Sequence, residues 1–433
     1  MKKYEIVYEK IKADILNGYL HKDEKIPSIR QSCNLFHMSQ TTIEKAYDKL
    51  VLDGYIKSLP QIGYIVKFTR EQIRLHREIE KVQNEEKEDV YTYDFRIKSV
   101  SKDSFEMDTW KRYLKEVMNN KESMSMYGMA QGEPELRQVL SRYAYKNRGI
   151  LSHPDQMLVG SNYQSLLFIL CGMMDKNLIV GMEEDAPLQT KRVFEAYGFK
   201  IIFLSRFNFM EDLKNNSIDI LYITPACFGN HKEPISSRIA DELLVYSASQ
   251  NILIVEDDYN GELTYRSSSR QALHSLSIDD NVIYLGSFSR LLIPSFRISY
   301  MILNEKYTNI YKAQEAMYGP TASKIEQLAF VRYIQNGYLD KHLRKLKKEY
   351  KEKSEYMEYL LKKYTKIPFY LNEAYMSYFN EDLCVKDLKL KCEEKNIGIT
   401  YSNKGIEIGF ANISMKDMEQ GIVQLIEIIE GVQ

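Results

Sequence analysis

No apolar run in this 433-residue chain reaches the ~18–20 residues needed to cross a bilayer. The amino terminus, Met1-Lys2-Lys3-Tyr4-Glu5, leads into an amphipathic pattern and lacks the apolar stretch of a signal peptide. A cytoplasmic protein without membrane contact is expected. Cysteine is scarce. Cys33, Cys171, Cys227, Cys384 and Cys392 are scattered without metal-ligand spacing, and their odd number disfavours a disulfide framework. A dominant charge is missing too: 59 Lys/Arg against 60 Asp/Glu leave a net charge of −1, which excludes a generally basic protein.

What is present is a local imbalance. Residues 1–70 hold 12 basic and 8 acidic side chains, a difference of +4, so the remainder carries −5. A local positive excess is what contact with phosphates requires. The length also exceeds one ordinary domain, so two or three units are expected.

Three short helices and a hairpin are predicted in the first 67 residues. Tyr4, Val7, Tyr8, Ile11, Ile15 and Leu16 form one face of the first helix, which ends near Gly18. Pro27-Ser28 opens the second, with Gln31 placed for a capping box. Ser39 is a cap for the third, where Ile43, Ala46, Tyr47 and Leu50 point inward and Gln40, Thr41, Glu44, Lys45 and Asp48 outward. Tyr55–Lys57 and Tyr64–Val66, joined by 58–63, read as a wing hairpin. Residues 70–90 are charged, free of Gly and Pro, and read as a linker.

Beyond residue 150, β-rich apolar runs recur at 177–182, 200–204, 218–223, 252–255, 282–285 and 298–303, with helical stretches between most of them. This alternation predicts a mainly parallel sheet covered by helices, the α/β class. One long charged helix over 325–364 then precedes a smaller α+β segment.

The stretches Pro27-Ser28-Ile29-Arg30, Ser39 to Tyr47 and Leu50 to Ile56 together resemble the GntR-type winged helix. The resemblance implies an α+β DNA-binding domain over 1–69 with double-stranded DNA as partner. Short hydroxyl and amide side chains on the first turn of a helix suit entry into the major groove. Arg30, Ser39, Gln40, Thr41, Thr42 and Lys45 are the expected DNA contacts, with Gln61 and Gly63 in the wing. Gln40 stands where the family commonly has Arg. Gln pairs with adenine and Arg prefers guanine, so a different operator is expected.

Residues 91–433 resemble a fold-type I aminotransferase, and the pairing with a GntR-type head resembles the MocR subfamily of regulators. The likeness rests on Tyr127-Gly128 with Gly132 to Arg137, on Gly160 to Leu166, on Glu256-Asp257-Asp258-Tyr259, and on Gly286 to Arg297. It implies a large subdomain at about 120–310, a small one at about 320–433, and a homodimer with a pocket between subunits. By the same resemblance, Asp257 faces the ring nitrogen of pyridoxal phosphate and Tyr259 its phenolic oxygen. Ser287, Ser289 and Arg297 hold the phosphate with the Ser161-Asn162 turn, and Tyr127 reaches in from a second subunit.

Arg290 stands where the family has its Schiff-base lysine. A guanidinium stays protonated and offers no lone pair to an aldehyde. Lys232 and Lys324 are substitutes in name only. After Arg344 the chain holds no Arg, so the usual fork for a substrate carboxylate is missing from the carboxy-terminal segment. A non-catalytic regulator sensing a small anionic effector is therefore expected, with pyridoxal phosphate bound non-covalently or not at all. The alternatives are an aminotransferase fused to a DNA module and a ligand-free architectural repressor.

Overall fold

The computed structural model describes residues 2–68, 91–97 and 105–431, except 185, 230–233, 259–260, 266–270, 290, 294, 372–374, 380–384 and 403–404. The chain divides into two compact units, Met1–Val90 and Tyr91–Gln433. The expected linker at 70–90 lies outside the described residues, as do Tyr259, Arg290 and Lys232.

The first unit holds α1 (Lys3–Leu16), α2 (Ile29–Phe36), α3 (Gln40–Leu52), β1 (Ile56–Leu59) and β2 (Gly63–Val66). Val7, Ile11 and Ile15 of α1 pack on Ile43, Ala46, Tyr47 and Leu50 of α3, and Ile26, Ile56 and Val66 close the core. The capping box at α2 forms: the Ser28 hydroxyl accepts from the Gln31 N–H (3.3 Å), and Gln31 Oε1 accepts from the Ser28 N–H (2.8 Å). Fully buried Tyr47 donates to the Pro27 carbonyl at 2.7 Å and lies 2.8 Å from Ser32 Oγ, which ties α3 to the start of α2.

Two details differ from expectation. Ser39 precedes α3 but makes no side-chain cap. Its hydroxyl lies 2.8 Å from Thr42 Oγ1 and 3.2 Å from Thr41 Oγ1, so these hydroxyls bond one another in place of the backbone. The wing strands are also longer. Pairing from Ile56↔Val66 to Leu59↔Gly63 leaves only Pro60-Gln61-Ile62 as the loop. Gln61 (φ 64°) and Gly63 (φ 102°) take the left-handed conformation that a turn this tight demands.

In the second unit, β3 (Tyr93–Asp94) precedes β4 (Met157–Gly160), β5 (Ile179–Glu183), β6 (Lys200–Leu204), β7 (Ile220–Ile223), β8 (Leu253–Asp257), β9 (Val282–Ser287) and β10 (Ser299–Ile302). Strands β4 to β10 form one sheet in the order β4-β10-β9-β8-β7-β5-β6. The strands from β5 to β9 run parallel, and β10 is antiparallel to both its neighbours. Residues alternate between faces. Ile220 and Tyr222 join Leu166, Leu170 and Phe194 on one side; Leu221 and Ile223 join Ala240 and Leu243 on the other.

The small subdomain carries β11 (Tyr370–Leu371), β12 (Tyr375–Phe379), β13 (Ile397–Gly398), β14 (Thr400–Ser402) and β15 (Gly405–Gly409), with β11, β12, β15 and β14 paired in that order. β3 pairs with β13, so residues 93–94 belong here despite their place in the chain. The expected helix over 325–364 is two helices, Lys324–Gln335 and Tyr338–Tyr364. Gly337 between them sits at φ 77°, a left-handed break open to glycine without penalty.

Gly132 carries a second such requirement. Its φ is 100°, and a Cβ there would fall 2.5 Å from the Val159 Cβ in β4. Gly132→Ala is expected to destabilise the second unit by about 2–4 kcal/mol, read from the denaturant midpoint of the full-length protein.

Candidate DNA interface and ligand site

The residues expected to contact DNA are all at least partly accessible in the first unit. Arg30, Ser39, Gln40, Thr41, Lys45 and Gln61 are exposed, and Thr42 and Gly63 are half-buried. The Gln40 amide donates to Glu44 Oε1 at 2.8 Å, so its side chain is held along the helix surface. A cleft of about 860 Å³ runs between the wing and the helices, lined among others by Lys25, Ser28, Arg30, Gln40, Ile62 and Gly63. Lys25 and Ile62 were not singled out by sequence. Lys25 lies in a loop before α2 and enters the site because its backbone bridges to Ile65 of β2.

The second unit brings several of the candidate pocket residues to the carboxy-terminal edge of the parallel strands. Asp257 ends β8 and Ser287 ends β9. Ser299 begins antiparallel β10 and is paired with both Gly160 and Ser287, which brings the turn after β4 to the same edge. Open α/β sheets place ligands outside this edge. Asn162 caps helix Tyr163–Gly172 by accepting from the Ser165 N–H at 2.8 Å, and its amide donates to Ser161 Oγ at 3.3 Å. The Ser287 hydroxyl lies 3.0 Å from both Ser289 Oγ and Ser299 Oγ. Arg297 is exposed just ahead of β10.

Asp257 accepts a hydrogen bond from the Tyr222 hydroxyl, which lies 3.4 Å from Thr190 Oγ1. Burial pushes the Asp257 carboxyl up to about 6; the Tyr222 bond pulls it down and the Asp258 charge pushes it up. Burial and then the charge of Asp257 raise the Tyr163 hydroxyl, which places this ring near the same carboxylate. Sequence reasoning missed Tyr222 because it is the third residue of an apolar strand and reads as core.

Asp258 turns the other way. It takes a two-point ion pair from buried Arg148 (Nε at 2.5 Å, Nη2 at 3.1 Å) and a hydrogen bond from Tyr284 at 2.5 Å. Glu256 is spent on the Leu273 and His274 N–H groups, each at 2.9 Å. Of the three acidic residues in a row, only Asp257 faces the open edge. Tyr127 is 97% exposed. Lys324 opens its helix beside Gly128, on a different element from the strand ends above.

A carboxyl held at about 6 in the folded chain and near 3.8 when unfolded binds more protons when folded between those values. Its contribution therefore favours folding at the acid end and is lost as pH rises through 6. Asp257→Asn is expected to remove that decline, so the variant's melting temperature exceeds wild type at pH 7 and converges with it near pH 4.

Residues 3–66 match the family described as bacterial regulatory proteins, gntR family. Over its length the chain is 28% identical to the HTH-type transcriptional regulator YdeL of Bacillus subtilis, covering 98% of this chain and 96% of that one. It is 25% identical to the probable rhizopine catabolism regulatory protein MocR of Rhizobium meliloti, covering 97% and 92%. Among solved structures it resembles an archaeal alanine:glyoxylate aminotransferase, with a TM-score of 0.73 and 20% identity over 83% of this chain and 95% of that one. The likeness to the aminotransferase is one of fold. The amino-terminal unit is thus a GntR-type helix-turn-helix domain, and the chain is a transcriptional regulator with an aminotransferase-like domain, built like the MocR-type proteins it resembles.

Proposed function

We propose that this regulator binds DNA as a homodimer and that its aminotransferase-like unit senses a small anionic ligand without catalysis. The observation that carries the reading is the retained polar edge: Asp257 with Tyr222, the Ser287, Ser289 and Ser299 hydroxyls, and the Asn162-capped helix start stand together, while position 290 is arginine.

The donor types fit a phosphorylated pyridine. Asp257 would hold a protonated ring nitrogen, and the hydroxyls, Asn162 turn and Arg297 would hold the phosphate. When bound, pyridoxal phosphate supplies an electron-withdrawing ring; this chain supplies no amine at position 290 to anchor it. In this reading the guanidinium at position 290 cannot form the covalent bond and leaves binding reversible. Absorbance titration of the full-length protein with pyridoxal phosphate should show saturable binding that borohydride does not fix to the protein, whereas Arg290→Lys should gain a borohydride-stable adduct. A featureless titration of both proteins would favour the architectural repressor. A wild-type adduct would favour an enzyme.

Self-association has its own support. Met126, Tyr127 and Met129 are 59%, 97% and 52% exposed, an apolar cluster in one short segment. A two-fold pairing that covers this cluster would bring Tyr127 towards a second copy. Sedimentation equilibrium should give a dimer for wild type and a shift to monomer for the double variant Met126→Asp, Met129→Asp.

A further inference from the structure

We propose that Tyr222, backed by Thr190, is the positioning residue that makes Asp257 select a ligand bearing a protonated ring nitrogen. The inference rests on the ligand-sensing reading of the second unit and deepens it, assigning to that edge two side chains that no sequence motif marks. Three observations carry it. First, the Tyr222 hydroxyl donates to Asp257 Oδ2, while among the described residues Oδ1 has no hydrogen-bond partner. Second, Thr190 Oγ1 donates to the Tyr222 oxygen at 3.4 Å, and both side chains are fully buried. Third, Asp257 itself is only half-buried at the end of β8, so the network runs from the dry interior to an accessible carboxylate.

Each hydroxyl carries one proton, and that fixes the order of the chain. Burial, followed by the Asp257 charge, raises the Tyr222 hydroxyl well above its ordinary range, so it keeps its proton and spends it on Asp257. Thr190, in helix Leu188–Ala196, spends its own on Tyr222. The ionised carboxylate then has one acceptor oxygen left and nothing to donate. A ring that offers a protonated nitrogen completes it. A ring with a C–H at that place leaves the charge unpaired and desolvated, which a site built for a donor punishes strongly. The same bond keeps Asp257 ionised, against the upward push of burial and of Asp258 on its own strand. Besides these two, Tyr163 at the start of its helix is the titratable group whose hydroxyl senses the Asp257 charge. The Phe194 ring packs edge-on against Tyr222, with centroids 6.3 Å apart, so a phenyl group at 222 retains the packing and loses only the hydroxyl.

The test measures the Kd of pyridoxal phosphate for the full-length protein as a function of pH. The ligand's own ionisations are common to wild type and variants, so the difference between their profiles reports the protein. Wild-type affinity should rise with pH through about 6 as Asp257 ionises. In Tyr222→Phe the lost donor should move that rise upward by about one pH unit and weaken binding about tenfold at pH 7. Thr190→Val should shift the profile in the same direction by less, and Thr190→Ser should restore it; this pair carries the test alone if the tyrosine variant does not fold. Benzyl phosphate, which keeps a ring and a phosphate but has no nitrogen, should compete equally in wild type and Tyr222→Phe. An unmoved profile in Tyr222→Phe, or equal weakening of both ligands, overturns the inference and leaves the ligand-sensing reading intact. Absence of saturable pyridoxal phosphate binding by the wild-type protein overturns both.

Discussion

The ion pair between Arg148 and Asp258 is the constraint on which the ligand edge depends. Both partners are buried, and taking two charges out of water is costly unless every polar atom finds a partner. Here the carboxylate also accepts from Tyr284, and Arg148 Nη1 donates to the Gly261 carbonyl at 3.3 Å. Gly261 lies tight against that carboxylate: a Cβ there would fall 2.0 Å from Asp258 Oδ1. Losing one partner of such a pair would leave the other charge stranded, a cost of about 3–5 kcal/mol. The pair thus bolts the end of helix Pro134–Arg148 to the end of β8 and fixes which way the strand end faces. Asp257 points to the open edge because Asp258 is held behind it.

The surrounding acids pay out the same logic. Glu262 and Glu256 are buried, and burial followed by the Asp258 charge raises both carboxyls. One guanidinium does not balance three ionised carboxylates in a dry interior, so protons or backbone N–H groups must make up the difference. The Leu273 and His274 N–H groups do so for Glu256, and Tyr143 approaches Glu262 at 3.4 Å. Charge inside this unit is arranged to hold backbone, and Asp257 with its Tyr222 partner is the carboxylate left at its edge.

How far the sequence reached follows from the range of each interaction. The three helices of the first unit were readable because Ile43, Ala46, Tyr47 and Leu50 recur at helical spacing and the Ser28–Gln31 box is local. Six of the seven strands in the large sheet announced themselves as apolar runs. The seventh, Met157–Gly160, offers only three apolar residues before the glycine of a turn. Pairings between distant segments left no local trace: β3 with β13, Lys25 with Ile65, Arg148 with Asp258. The break at Gly337 was masked by charged residues with good helical spacing on both sides. Position 290, where the sequence departs most from the aminotransferase pattern, is read from chemistry alone.

That departure changes what a ligand at the edge can do. A cofactor fixed by a covalent bond would stay bound over a wide range of concentration, whereas occupancy of a reversible site follows free ligand around its dissociation constant. Under the proposed reading, replacing an amine by a guanidinium converts a permanent fitting into a measurable one. The change is useful only if the two occupancy states differ in their preference for DNA, and a ligand shifts such an equilibrium by no more than its differential affinity for the two forms. Typical couplings of about 1–3 kcal/mol alter operator affinity roughly 5–150-fold.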